Sequence, residues 1–577
     1  MEKITKRLFW VLIVLAIVSV AVVEGFSQNS MLIPPTLSGN TFNLTLQNGT
    51  HQFYSGVTTN TMGANGNILG PTLIMEQGEF VNITVENLIG ETTTIHWHGM
   101  HVSAQNDGGP HTVIQPNATW NPQFTVLDKA STFWYHPHLH EKTNDHVQKG
   151  IAGFIIVRDS EEAALDLPRT YGEDDFPIVL QTKAFDGAGQ IVVETELDTV
   201  VIVNGTRKAF LDLPAQTVRL RLLNGASQRS FNVALSNGAN FYQIGTDGGL
   251  LEAPVQLTEL LLSPGERAEI LLDLSGMQGQ NFSVMSNASN IPLNIYGAAT
   301  VIMGPSTIPD YPDNPLNGAD FVLFDVNVTA PTSTPVISIP RSLVTLTPYL
   351  EADVDVTRNI TLSPVNVGPL AMVAGPYEID DASFDMNVIN HTVQLDDIEI
   401  WSIANQTGVA HPFHIHDVQF FILDIDGNPP PANLRGWKDV VLVPRQQTVR
   451  FITKFEDFAD DEVPYMYHCH MLTHEDDGMM GQFIVMGEPT GVEETATENE
   501  PRFYPNPITD GMLNMDFISG EFELMELYSM DGKLLFSQNI SGQNSIQKDV
   551  KTVNGNFIVR LIRVDGKHVI KSIINHK

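Results

Sequence analysis

Cysteine is nearly absent from this chain: one residue, Cys469, in 577. A lone cysteine excludes an internal disulfide, so packing, and metal where it binds, must hold the protein together. Positive charge is scarce as well, 31 Lys and Arg against 67 Asp and Glu, which leaves a formal charge of −36. The acidic excess is spread along the chain and argues against nucleic acid or an anionic membrane as partner. There is one long apolar run, residues 8–23, preceded by Lys3, Lys6 and Arg7 and followed by Glu24 and Gly25. It is short for a membrane span, and a basic start before an apolar stretch predicts an export signal over residues 1–27, with no stable membrane insertion once it is cleaved. An uncleaved anchor is the alternative; no cysteine accompanies the run, which argues against a lipoprotein. Convincing amphipathic helices are few.

Alternating segments broken by Gly, Pro and Asn dominate instead, which predicts an all-β chain of sandwich domains. A chain of 577 residues is too long for one core. One strand pattern recurs at residues 81–87, 218–224 and 399–405, each largely alternating and each ending at an Asn. The spacing is too wide for a solenoid, so these read as the same strand in three copies of one domain. A second repeat ties the first copy to the last. Tyr135-His136-Pro137-His138 with the strand at 153–157 mirrors Tyr467-His468-Cys469-His470 with that at 481–485, and residues 94–98 mirror 412–416. In that alignment His411, Cys469, His474 and Met479 stand opposite Thr93, Pro137, Lys142 and Val147. The first copy therefore keeps its HxH pairs and lacks the cysteine-type site. The middle copy has no HxH and is read as a spacer. The expected layout is a signal at 1–27, sandwich domains at 28–160, 165–305 and 318–488, a linker at 489–500 and a small β domain at 501–577. That last domain opens on FYPNP at 503–507, holds Asp531-Gly532-Lys533 and ends with Lys567, Lys571 and Lys577. It resembles the C-terminal sorting domain that Bacteroidetes attach to type IX secretion cargo. The resemblance implies the secretion machinery as a partner and export to the medium or the cell surface.

Cys469 sits between His468 and His470. On a strand, alternation sends both imidazoles to one face and the thiolate to the other, so one segment touches two metal sites. His474 and Met479 follow at a distance that returns an imidazole and a thioether to the cysteine side, and His411 supplies a second imidazole. Cysteine, two histidines and a weak axial methionine are a blue-copper ligand set. A buried free cysteine is by itself more often an inert hydrophobe; the surrounding pattern decides otherwise. Four pairs, His96/His98, His136/His138, His414/His416 and His468/His470, each offer two imidazoles to one side of a strand, and with His411 and His474 they account for ten of the 18 histidines. His101, His111, His140 and His146 have no such pairing and are read as surface or supporting residues.

HWHG at 96–99, HPH at 136–138, HPFHIH at 411–416 and HCHMLTHEDDGM at 468–479 resemble the four copper signatures of the three-domain multicopper oxidases, the laccase and copper-efflux oxidase group. The resemblance runs over about residues 40–488 and implies three cupredoxin-like Greek-key sandwiches and four copper ions. By position it assigns His411, Cys469, His474 and axial Met479 to a type 1 copper, and His96 and His414 to type 2. It assigns His98, His136 and His470 to one type 3 copper, and His138, His416 and His468 to the other. The implied activity couples one-electron oxidation of a small-molecule reductant to four-electron reduction of O2 to water. Asp107 and Glu475 match positions where the family places acidic proton relays.

GWKD at 436–439 and HEDDGMM at 474–480 are most similar to the copper-efflux oxidases. Those cuprous oxidases carry an acidic residue and a methionine where this chain has Thr407 and Val409, and a Met-rich insert it lacks. Soft thioethers are what a Cu(I) substrate needs, so the expectation is a laccase-like oxidase of phenols or aromatic amines, with cuprous oxidation as the runner-up. A copper-free cell-surface relative would show lost ligands, and none is lost. A two-domain nitrite reductase is disfavoured because the middle copy separates two halves that both carry paired histidines.

Overall fold

The computed structural model describes residues 29–487 and 501–574, apart from 507, 509, 510, 518, 531, 554, 565 and 566. The expected export signal, the linker and the turn residues Asp531, Asp565 and Gly566 lie outside the described residues. Strand makes up 49 % and helix 7 %, the all-β composition expected. Among the described residues no helix is long and apolar enough to cross a membrane. The chain divides into two compact units, 1–487 and 488–577.

The larger unit is three two-sheet sandwiches. In the first, Thr41–Tyr54 pairs in parallel with Phe80–Leu88, and the facing sheet runs Thr36–Ser38, Thr72–Glu76, Gly153–Arg158, Ser131–His136, His96–His98. In the third, Val356–Pro364 pairs in parallel with Ile398–Asn405, and the facing sheet runs His391–Gln394, Met480–Met486, Asp460–Cys469, His411–Ile415, Val440–Val443. Alternation is what builds these layers: Phe42, Leu44 and Leu46 meet Val81, Ile83 and Val85 in one apolar cluster, while the residues between them face outward.

The recurring Asn is a clamp, repeated three times. Asn87, Asn224 and Asn405 are buried, and each side-chain oxygen accepts from the backbone N–H two residues on, at Ile89, Ala226 and Thr407. Each amide nitrogen donates to two carbonyls, one in its own loop and one on a neighbouring segment: Glu91 and Ile114, Arg229 and Leu262, Val409 and Val443. One side chain thus satisfies three buried backbone groups where a strand turns into a loop. The Tyr–Gly pairs of the other repeat also have a physical reason. Tyr135 lies across Gly153 and Tyr467 across Gly481, so that a Cβ on either glycine would stand 2.3 Å from the ring.

The middle sandwich exceeds its expected range at both ends. Asn29–Ser30 pairs with Ala209–Pro214, so these residues join the middle sheet and not the first. Phe321–Thr329, placed after the expected limit of 305, pairs with both Ala209–Pro214 and Asn281–Ser286. Residues 304–316 form an internal loop with a short turn at Tyr311–Asp313, after which the chain re-enters the same sheet. Both faces of its strand Thr217–Asn224 are buried. Val218, Leu220 and Leu222 face the middle core, while Arg219 and Arg221 bond Glu162 and Thr132 of the first sandwich.

The smaller unit has a three-stranded and a four-stranded sheet around its own core, which includes Leu513, Met525, Phe557 and Leu561.

Candidate metal centre

In the first sandwich His96 lies opposite His136 on paired strands, and in the third His414 lies opposite His468. The two domains present these strand ends to each other. His96 stacks on His416 and His98 on His414, each with ring centroids 3.8 Å apart. All eight imidazoles of the HxH pairs are at most 1 % exposed.

Their nitrogens converge. His98 Nδ1 faces His136 Nε2 at 3.4 Å and His470 Nε2 at 3.2 Å. His138 Nε2 faces His468 Nε2 at 3.1 Å, with His416 in the same group. His96, His414 and His416 form a third group, and the Nε2 atoms of all three lack a hydrogen-bond partner. The outer nitrogens are tied down: His136 Nδ1 to Pro137 O at 2.7 Å, His468 Nδ1 to Cys469 O at 3.1 Å, His414 Nδ1 to Asp439 O at 2.8 Å, and His96 Nδ1 to Asp107 O at 2.9 Å. An imidazole that donates outward presents a lone pair inward. Burial, with repulsion from neighbouring imidazoles added, pushes His98, His136, His138, His414 and His468 well below the ordinary range and takes His416 to about 4 and His470 to about 3. Facing lone pairs in a dry pocket have no hydrogen-bond solution among themselves, and each buried orphan is costly. Bound cations resolve all of them at once, and imidazole suits copper.

The second pocket lies on the other side of the same strand end. Cys469 Sγ is 3.5 Å from His411 Nδ1 and 3.6 Å from His474 Nδ1. Met479 is buried in the apolar cluster that contains Cys469, and its carbonyl accepts from Cys469 N at 3.1 Å. The Tyr377 ring packs 4.7 Å from both imidazoles. Burial pushes the Cys469 thiol well up, His411 well down and His474 to about 3. A thiol that holds its proton until a cation displaces it, beside neutral imidazoles, fits a thiolate-bound copper.

Both predicted carboxylates reach the histidine cluster. Asp107 Oδ2 accepts from His416 Nδ1 at 2.8 Å, and its other oxygen is 3.3 Å from His96 Nδ1. Burial opposes its charge, but His416 and His96 outweigh burial and hold it well below the usual carboxyl range. Glu475 lies 3.4 Å from His138 Nδ1 and 3.3 Å from His468 Nδ1 without hydrogen-bond alignment; burial, then Asp476, pushes it well up. His101 is a bridge between the outer sandwiches, with Nδ1 2.9 Å from the Asp417 carboxylate and Nε2 3.2 Å from Asp457. The sequence reading misses two supporting residues. Asp439, the acidic end of GWKD, has a carboxylate oxygen 3.1 Å from His98 Nε2. Thr407, singled out only as a departure, has its Oγ1 2.8 Å from His411 Nε2.

Comparison with known proteins agrees with this geometry. Multicopper oxidase profiles match residues 45–162, 171–303 and 352–488, and a secretion system C-terminal sorting domain profile matches 502–575. The chain is 34 % identical over 453 residues to the multicopper oxidase mco of Staphylococcus haemolyticus, covering 77 % of this chain and 88 % of that one. It is 30 % identical over 474 residues to the cell division protein FtsP of Xenorhabdus nematophila, covering 81 % and 94 %. The solved structure of a laccase-like multicopper oxidase, CueO from Ochrobactrum sp., superimposes with a TM-score of 0.69 at 32 % identity, over 79 % of this chain and all of that one. With its copper-suited pockets at the positions these profiles cover, the chain belongs to the multicopper oxidase family of copper-dependent oxidoreductases and ends in a secretion sorting domain.

Proposed function

We propose that the protein is an exported laccase-like oxidase that takes single electrons from phenols or aromatic amines and reduces O2 to water. His411, Cys469, His474 and Met479 would hold the type 1 copper, His96 and His414 the type 2, and the two remaining triads, His98/His136/His470 and His138/His416/His468, one type 3 copper each. When bound, the four coppers supply one-electron acceptance at the cysteine pocket and four-electron reduction of O2 at the cluster. The rest is the work of the chain. His474 is 7 % exposed against at most 1 % for His411, Cys469 and Met479, which makes its ring the contact point for a reductant. Cys469 joins the pockets: its side chain lies in one, its peptide neighbours His468 and His470 lie in the other, and its carbonyl accepts from His468 Nδ1. Asp107, its carboxyl held low by His416 and His96 against burial, anchors His416; Glu475, pushed up by burial and Asp476, stands beside His138 and His468 where a proton relay would act.

The observation that carries the substrate class is Thr407. Together with Val409 it is fully buried, and its hydroxyl is spent on His411 Nε2, so the position offers a metal-ion substrate neither a carboxylate nor a thioether. The similar Ochrobactrum oxidase acts on lignin model compounds and lignosulfonate, which favours the same class. The test is oxygen uptake with a substituted phenol and with Cu(I) side by side. A preference for the phenol is expected, together with loss of blue colour and turnover in Cys469→Ser while the cluster keeps its copper. A strong preference for Cu(I), or a blue and active Cys469→Ser, refutes the proposal.

A further inference from the structure

Seven of the eight cluster imidazoles present Nε2 inward, and His98 alone is turned round: its Nδ1 faces His136 and His470, and its Nε2 points out to Asp439. Backbone carbonyls accept from the outer nitrogens of His96, His136, His414 and His468. The reversed ring is served by a carboxylate instead. Asp439 is fully buried and also lends its carbonyl to His414, so it orients one ring from each outer sandwich. A buried carboxylate needs a cation.

That cation comes from the middle sandwich. Arg267 is itself fully enclosed and grips Asp439 with two parallel bonds, Nη1 to Oδ1 at 2.6 Å and Nη2 to Oδ2 at 2.5 Å. Its remaining donors are fixed by the carbonyls of Thr132, Gly265 and Asp247, each at 3.1 Å, so the fork has one orientation. Two residues earlier Gly265, at φ +84°, lies flat against His470; a Cβ there would come within 2.8 Å of the ring.

We propose that the middle sandwich is the third wall of the histidine cluster and not a spacer, and that Arg267 is a positioning residue. By clamping Asp439 it holds His98 protonated on Nε2, with the Nδ1 lone pair directed to where His136 and His470 also point. This rests on the copper assignment proposed above. Arg267→Met removes the clamp, and Arg267→Lys keeps the charge but not the two-pronged contact. Copper per chain and the electron paramagnetic resonance of the cluster are measured beside the visible absorption of the Cys469 pocket, which serves as an internal control. The expected result is unchanged absorption at Cys469, an altered cluster signature with copper affinity weakened about 10–100-fold in Arg267→Met, and partial recovery in Arg267→Lys. Where Arg267→Met does not fold, Asp439→Asn, of the same shape, is measured in its place and is expected to alter the same signature. A parental cluster signature with full copper overturns the inference, and so does equal loss at the Cys469 pocket, the mark of general loosening. A parent protein whose histidine cluster takes no copper would instead refute the assignment beneath it.

Discussion

Thr407→Val keeps the volume and the branch of the side chain and removes one oxygen. That oxygen lies 2.8 Å from His411 Nε2, and the hydroxyl in turn bonds Asn405 Oδ1 at 2.8 Å or the Val409 carbonyl at 2.9 Å. With His411 Nδ1 turned to Cys469, Nε2 carries the hydrogen and Thr407 is its acceptor. In the valine variant that N–H is buried with nothing to receive it, at a cost of about 1–3 kcal/mol. The ring relieves the cost by changing tautomer, which puts the proton on Nδ1 and removes the lone pair facing Cys469, or by rotating, which turns Nδ1 away. Loss of such a supporting bond weakens a metal site by about 10–100-fold, which at about 1.4 kcal/mol per tenfold matches the hydrogen-bond figure. The assay is titration of copper into copper-depleted protein, read at the visible absorption of the Cys469 pocket and, separately, as copper held by the histidine cluster. Thr407→Val is expected to weaken the first and leave the second alone, while Thr407→Ser, which keeps the hydroxyl, retains most of the affinity. If the valine variant titrates like the parent, or serine loses as much as valine, the hydroxyl does not orient His411.

Two bases, half-buried His101 and buried Lys183, set opposite pH slopes on stability. His101 is lifted to about 10 because Asp417 and Asp128 outweigh burial; the native chain then binds a proton between about 6.5 and 10 that the unfolded chain does not, and the stabilisation is full below that window and lost as pH rises through it. Lys183, whose Nζ donates to the Gln148 carbonyl at 2.7 Å, is lowered by burial to about 7; the unfolded chain binds the extra proton between about 7 and 10.4, so this residue's contribution improves as pH rises. Thermal midpoints taken from neutral to alkaline pH should fall more steeply in Lys183→Met and less steeply in His101→Asn than in the parent, and parallel profiles would contradict both readings. A chain ending at Gly487 should keep both copper sites and the parent's oxygen uptake, since residues 1–487 form one compact unit, while losing export; loss of copper from the shortened protein would show that the tail supports the oxidase.

The histidines were legible because strand alternation is local. HxH on a strand puts two imidazoles on one face whatever the tertiary structure, and the mirror between residues 94–98 and 412–416 already paired the first copy with the last. The lone cysteine was legible for the same reason. What supports these residues was not. Asp439 reaches His98 across 341 positions, and Arg267 reaches Asp439 across 172, and nothing in a single sequence links charges so far apart. The middle copy looked like a spacer because its contribution is a guanidinium and a glycine, with no HxH to announce it. The limit at 305 fell short because the loop there, with Pro305, Pro309, Pro312 and Pro315, has the composition of a linker although the strand after it returns to the same sandwich. Thr407 was visible only as a missing acid; that its hydroxyl partners His411 needed coordinates.

Under the proposed assignment neither outer domain can form the cluster alone. His98 and His136 of the first sandwich need His470 of the third, His138 needs His416 and His468, and the type 2 pair takes one ring from each. The stacked pairs His96/His416 and His98/His414 close that interface at 3.8 Å, and there is no disulfide to hold it shut. Docking and metal binding are therefore linked: copper binds the joined domains and not the separated ones, so bound copper must stabilise the junction. Among the polar contacts around the junction, Arg267 with Asp439 and Lys438 with Asp247 and Glu266 tie the third sandwich to the middle one, and His101 with Asp417 ties it to the first. Two of those three run through the middle sandwich. Before copper binds, contacts of this kind hold the facing lone pairs in place, and under the inference above the domain with no copper ligands supplies the clamp on His98 through Arg267 and Asp439.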